Sequence, residues 1–249
     1  RFSGGTLNAI PSYDGIPPTR VTEHAIVQTP VRTSALRGLG GPANEYASEC
    51  FIDELAEAAG QEPLAYRLAM SKDPRRIRVL ETVARMSAWS RRGAPGTGKG
   101  LGLAFTHHRN RAGFCGVVAE VEVDEEVRVT RMWCAADCGL IINPDGARNQ
   151  IEGGMIMAAS WALKEQVKLG GTGIASVTWD DYPILRFDET PEIEIELIDA
   201  PEQRPHGIGE LSCGPALGAI GNAVAYALGA RIRDLPYTRE RIAHALLRA

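Results

Sequence analysis

No stretch of the chain reaches the roughly eighteen consecutive apolar residues that a membrane-crossing helix needs. The longest apolar run, Met155 to Leu163, is too short and is broken by Ser160. A basic excess is also missing. The 27 Lys and Arg stand against 31 Asp and Glu, a net charge of −4, which argues against nucleic acid as a partner. Cysteine is sparse and irregular. Cys50, Cys115, Cys134, Cys138 and Cys213 are odd in number and scattered, so they do not read as a disulfide framework. The three-residue gap between Cys134 and Cys138 is not the two-residue gap usual in zinc and iron–sulfur sites, and buried thiols are the expectation. The sequence as it stands reads without a signal segment, and no initiator Met opens it. The chain opens on Arg1-Phe2-Ser3-Gly4-Gly5, which reads as a processed or truncated piece of something longer.

What is present is ample core-forming material. Of 249 residues, 44% are hydrophobic, enough for one large domain or two smaller ones. Residues 1–42 read as irregular or β-rich, with a strand-like patch from Ala25 to Val31. Apolar spacing near 3.6 predicts helices over Ala43–Ala59, Pro63–Met70 and Arg75–Ser87, followed by a glycine-rich linker over Gly93–Gly100. Strands are predicted over Leu101–His107, Phe114–Val123 and Val127–Ala135, with a turn at Asp124-Glu125-Glu126. A long helix starts at Asn143-Pro144-Asp145 and runs to about Glu165. Strands at Ile174–Thr178 and Glu192–Ile198, then helices at Pro215–Leu228 and Thr238–Leu247, complete the reading. Helices and strands come in runs without regular βαβ alternation, so the fold class is α+β. Two parts are expected: residues 1–92, carrying a glycine loop at Arg37, and residues 93–249, an α+β part with the chemistry.

Two motifs mislead. Gly93-Ala94-Pro95-Gly96-Thr97-Gly98-Lys99-Gly100 nearly spells a P-loop, but Gly100 stands where a Ser or Thr hydroxyl is needed, and a helix precedes it where a strand should be. Gly38-Leu39-Gly40-Gly41-Pro42-Ala43 nearly spells a dinucleotide fingerprint, but a second helix follows its helix instead of a strand. A glycine loop at a helix N-terminus still offers unpaired N–H groups to an anion.

Three segments share a design, a polar or glycine-bearing entry leading into an apolar helix. They are Arg37-Gly38-Leu39-Gly40-Gly41-Pro42, Asn149-Gln150-Ile151-Glu152-Gly153-Gly154 and Gly207-Ile208-Gly209-Glu210. Arg37 suits a phosphate or oxo group. Gln150 can donate and accept. Glycines 153 and 154 inside an apolar helix cost stability and point to a close approach. Glu210 on a glycine hinge can serve as a general base.

Together these segments resemble the molybdenum-cofactor-binding subunit of the xanthine oxidase family of molybdenum hydroxylases, nearest to the bacterial branch that acts on aldehydes and N-heterocycles. Asp137-Cys138-Gly139 to Asn143-Pro144, Gly221-Asn222-Ala223-Val224 and Asp234 to Ile242 add to the likeness, which runs from about Val31 to the C-terminus. The resemblance implies a molybdenum held by a pterin dithiolene, with no metal ligand from the protein, and a cofactor extended in some members by a cytosine dinucleotide. It implies Glu210 as the base that takes a proton from a water-derived oxygen. Arg37, Gly38, Gln150, Gly153, Gly154 and Gly209 are implied as cofactor-binding positions, the glycines letting backbone approach the pterin. No role is assigned to His206.

The resemblance further implies an aldehyde or N-heteroaromatic small-molecule substrate. It also implies partner chains carrying a 2Fe-2S cluster and FAD or haem, that is, an iron–sulfur subunit and a flavin or cytochrome subunit. The Gly-Gln-Gly loop of the family's other half is missing, so the chain reads as half of a larger two-part domain, active once the other half completes the pocket. Leu36, Leu39 and Ala43, with Leu211-Ser212 after Glu210, depart from the purine-oxidising pattern and argue against a purine substrate. A non-catalytic cofactor-binding or assembly module is the alternative, and a P-loop nucleotide-binding protein a distant third.

Overall fold

The computed structural model describes residues 4–26, 28–171 and 173–247. Local sequence chemistry sets the helix starts. Helix α1 spans Gly41–Ala58, α2 Pro63–Ala69, α3 Pro74–Met86 and α4 Pro144–Leu163. Each carries proline in its first turn, where the missing N–H costs nothing. The residue before α2, α3 and α4 also caps it. Glu62 accepts from the N–H of Ala65, Asp73 from that of Arg75, and Asn143 from that of Gly146. Helix α5 spans Cys213–Leu228 and stops at Gly229, whose φ of 66° suits glycine. The short α6 spans Arg239–Leu246. Among the described residues no helix is long and apolar enough to cross a membrane.

Strands β1 (Lys99–His107), β2 (Phe114–Val123) and β3 (Val127–Asp137) form an antiparallel meander. Two short ladder segments follow, β4 (Leu169–Gly170) and β5 (Gly173–Ile174), and then β6 (Glu192–Leu197), which adds to β3 in parallel. The main sheet has the order β1-β2-β3-β6. Strand periodicity sends alternate side chains to two cores. Val117, Ala119, Val121 and Met132 pack with Ile151 and Met155 of α4 and with Ile220 and Val224 of α5. On the other face Leu103, Phe105, Val118 and Trp133 meet Val79, Leu80 and Val83 of α3, each fully buried and each stabilising by about 1.5–3 kcal/mol. Tyr13 from the N-terminal segment and Ile52 from α1 join this second core.

The α+β expectation holds. Six predicted helices are present, and four of the predicted strands, each within a few residues of its expected bounds. Two strand expectations fail. The patch from Ala25 to Val31 is exposed as far as Pro30 and forms no strand in its described residues, Val27 lying outside them. It has β-type composition but pairs with neither edge of the main sheet. Ile174–Thr178 shrinks to the two-residue β5, because only Leu169 and Gly170 lie opposite. The glycine run at 93–100 leads into β1 rather than into a helix, as the linker reading requires.

Helix α5 lies almost in contact with the β1 backbone. A Cβ at Gly102 would stand 2.1 Å from the Ala223 nitrogen and 2.2 Å from the Ala219 oxygen. Backbone cannot yield as a side chain can, so G102A must push α5 off the sheet. We expect a loss of about 1–3 kcal/mol or more in denaturant unfolding. G93A, where an added Cβ would meet nothing within 4 Å, serves as the neutral control, and equal midpoints for the two variants would refute this packing.

Candidate active site

The loop before α1 turns sharply because Gly38 holds φ 89°. A Cβ there would also fall 2.6 Å from the Pro42 ring, so glycine is required on two counts. The turn aims the Gly38 N–H at Glu210, whose Oε1 accepts it at 3.2 Å. Arg37 points to the other two segments. Its Nε donates to the Gly209 carbonyl and its Nη2 to the Gln150 carbonyl at 2.9 Å, with the Gln150 side-chain oxygen at 3.4 Å. One guanidinium thus ties the loop before α1 to the first turns of α4 and to the loop before α5, which lie 113 and 172 residues further along the chain.

The remaining glycines complete this seam. A Cβ at Gly153 would have the Arg37 guanidinium at 3.7 Å, and one at Gly209 would have Gln150 Oε1 at 3.5 Å. Gly154 is buried, and a Cβ there would strike Ser212 Oγ at 2.3 Å. The close approach it permits is that of the residue leading into α5. Ser212 uses that space to donate to the Ile151 carbonyl at 2.8 Å, fixing the Glu210 loop on α4. The structure therefore brings all seven predicted site residues into one neighbourhood. His206, given no role, is anchored by its backbone N–H to the Cys138 carbonyl.

The structure adds residues the sequence did not single out. The turn from β1 to β2 carries His108 and Arg109. Arg109 Nη2 donates to Glu210 Oε2 at 3.1 Å, and His108 Nε2 lies 3.8 Å from the same oxygen. A paired-histidine and arginine run between two apolar strands was the available signal. Asn8 gave none. It is buried and reaches across to this turn, accepting the Arg109 N–H with Oδ1 at 2.8 Å and donating to the His107 carbonyl at 3.0 Å. Its amide also donates to Thr106 Oγ1, which in turn donates to Glu45 at 2.6 Å. Burial pushes the Glu45 carboxyl up to about 8, so it stays protonated at neutral pH behind the site.

The electrostatics define Glu210 as an anion. Partial burial pushes its carboxyl up, but the Gly38 N–H, the Arg109 guanidinium and His108 outweigh this and hold it below the usual carboxylate range. Burial and the Arg109 charge lower the His108 imidazole, leaving it neutral at pH 7 despite Glu210. The result is an ionised, solvent-reachable carboxylate with bare backbone at Gly207 and Gly209 and an exposed amide at Gln150 beside it. Such a group can take a proton from a bound polar ligand.

Residues 22–191 match the model of the molybdopterin cofactor-binding domain. The chain is 38% identical over 261 aligned positions to a subunit of the nicotinate dehydrogenase of Pseudomonas putida, covering 98% of this chain and 22% of that protein. It is 34% identical over 238 positions to the beta subunit of isoquinoline 1-oxidoreductase of Brevundimonas diminuta, covering 94% of this chain and 30% of that protein. In fold it is similar to quinoline 2-oxidoreductase from Pseudomonas putida 86, with a TM-score of 0.73 and 16% identity over 85% of this chain and 52% of that one. It is also similar to aldehyde oxidoreductase from Desulfovibrio gigas, with a TM-score of 0.74 and 17% identity over 87% of this chain and 42% of that one. The chain thus spans under a third of the length of these two curated relatives.

Proposed function

Since the chain belongs to the molybdopterin cofactor-binding domain family, we propose that it forms the base-bearing part of a molybdenum hydroxylase site that oxidises an aldehyde or N-heteroaromatic carbon. The observation that carries this reading is the convergence on Glu210 of three glycine-bearing segments far apart in the chain.

The residues present fit a pterin-bearing cofactor. A flat group rich in donors and acceptors needs backbone that comes close and side chains that can match either role. Here Gly153 and Gly209 leave space beside Arg37 and Gln150, and Gly207 has nothing within 4 Å of where a Cβ would stand. Arg37, Gly38, Gln150, Gly153, Gly154 and Gly209 would hold the group or shape its seat, and the cytosine dinucleotide form is included. When bound, the cofactor supplies the two-electron oxidation. The chain's own task is proton handling. Glu210 stays ionised at neutral pH and accepts the proton at Oε1 or Oε2, while Arg37 fixes the loop on which it stands. General bases placed this way contribute about 10²–10⁴-fold.

Electrons then leave through partner chains, an iron–sulfur subunit and a flavin or cytochrome subunit, and the remainder of the molybdenum subunit closes the pocket. Both curated relatives are named as subunits of larger enzymes, in keeping with a multi-chain assembly. A cofactor-holding module without turnover of its own is the second reading, since the Arg37, Gln150 and glycine seam would suit holding a cofactor with or without chemistry at Glu210. Molybdenum and pterin analysis of the native assembly purified through this chain should give close to one of each per copy. An assembly free of both would overturn either reading.

A further inference from the structure

Arg109 occupies left-handed backbone at φ 55°, ψ 20°, a placement that disfavours any side chain with a Cβ. Such strain persists only where the surroundings enforce it. Here Asn8 does so, a 5% exposed side chain from the N-terminal segment whose amide is committed to the 106–110 turn. The strain and the buried asparagine together aim a half-exposed guanidinium across Glu210. Among the described residues, the contact with Glu210 is the one hydrogen bond that guanidinium makes.

For a base, this contact is adverse. A cation beside a carboxylate favours its charged form and lowers its affinity for the proton it must take. A guanidinium held in place only to steady Glu210 would therefore work against it. The conflict disappears if Arg109 changes partner when substrate arrives.

We infer that Arg109 is a substrate-recognition residue: it binds a carboxylate carried on the ring of the substrate, exchanging Glu210 for it, and so selects acidic aromatic substrates over neutral ones. This rests on the reading of Glu210 as the base. A guanidinium presents five donors in a fork that matches a carboxylate with two parallel bonds, and one is in use here. Exchange keeps Arg109 neutralised and leaves Glu210 with the Gly38 N–H and the neutral His108, a less stabilised anion and a stronger base. Leu36 and Leu39, on the loop whose Gly38 touches Glu210, are 63% and 38% exposed and offer apolar surface to a ring.

The test uses the assembled holoenzyme and two ligands of one shape, benzoate and benzamide, with binding measured by calorimetry. The wild type should bind benzoate about tenfold or more tightly than benzamide, as a charge-assisted pair implies. R109A should lose that preference with benzamide affinity unchanged, and R109K should keep part of it. Matching melting curves show that the variants fold. E210Q should bind benzoate more tightly, since Arg109 then has no rival. In turnover of a ring-carboxylate substrate, R109A should raise KM far more than it lowers kcat. Equal binding of the two ligands by the wild type, or a preference that survives R109A, overturns the inference. Turnover that survives E210Q overturns the base reading instead, and leaves the anion preference intact.

Discussion

E210Q is expected to lower turnover of the assembled enzyme by about two to four orders of magnitude while molybdenum and pterin content stay at wild-type levels. Glutamine keeps the shape of the side chain. Its carbonyl can still accept the Gly38 N–H, so the loop before α1 retains its tie to the loop before α5. What it loses is the proton-accepting charge. Arg37, Ser212 and the glycine seam do not involve the carboxylate, so the cofactor seat should be undisturbed. The pH profile gives a second check. Gly38, Arg109 and His108 outweigh burial and lower the Glu210 carboxyl, so it remains ionised as pH falls through the ordinary carboxylate range. The acid limb of kcat/KM for a neutral substrate should then lie below that range, and R109A should move it to higher pH. Turnover of E210Q within about fivefold of wild type would remove Glu210 from the chemistry and favour the module without turnover.

The sequence reveals those parts of the fold that rest on local chemistry. Pro63, Pro74 and Pro144, each after a capping carboxylate or amide, mark three helix starts closely. Alternation along Val117–Val123 marks β2, and the structure extends the reading by covering Val118 with α3. Strand propensity without a neighbour is not enough, as the patch before Val31 and the shortened β5 show. The same division runs through the site. Arg37, Gln150 and Glu210 sit in glycine-bearing segments that stand out along the chain. Arg109 meets Glu210 across 101 residues, and Asn8 meets Arg109 across the same separation; the His107-His108-Arg109 run marks the turn but not its partners, and Asn8 carries no mark at all. Those contacts come from the hairpin folding back under the N-terminal segment, which no local signal encodes.

The largest effect on stability is expected at Arg67, the bulkiest fully buried side chain of the described residues. Its Nε donates to Glu49 Oε2 at 3.0 Å, its Nη1 to Asp53 and to the Pro63 carbonyl, and its Nη2 to the Glu49 carbonyl at 3.1 Å. Glu49 also accepts from the Tyr13 hydroxyl at 3.0 Å and from the Phe105 N–H at 2.9 Å. Its carbonyl takes a further bond from Asn222 of α5. One cluster therefore joins the N-terminal segment, α1, α2, β1 and α5, the elements that carry or flank Asn8, the Gly38 loop and the Glu210 loop. R67M keeps much of the volume but leaves the buried Glu49 carboxyl and Asp53 without their partner, and breaking a buried pair from one side costs about 3–5 kcal/mol. For a chain of this size that corresponds to a fall in Tm on the order of 10 °C. R67M/E49Q removes the Arg67–Glu49 pair and keeps an acceptor for the Phe105 N–H, while Asp53 still loses its partner, so it should recover part of the loss. A double variant no more stable than R67M would mean that the charge on Glu49 contributes little to the loss, and an R67M melting curve overlying the wild type would mean that the cluster holds nothing together.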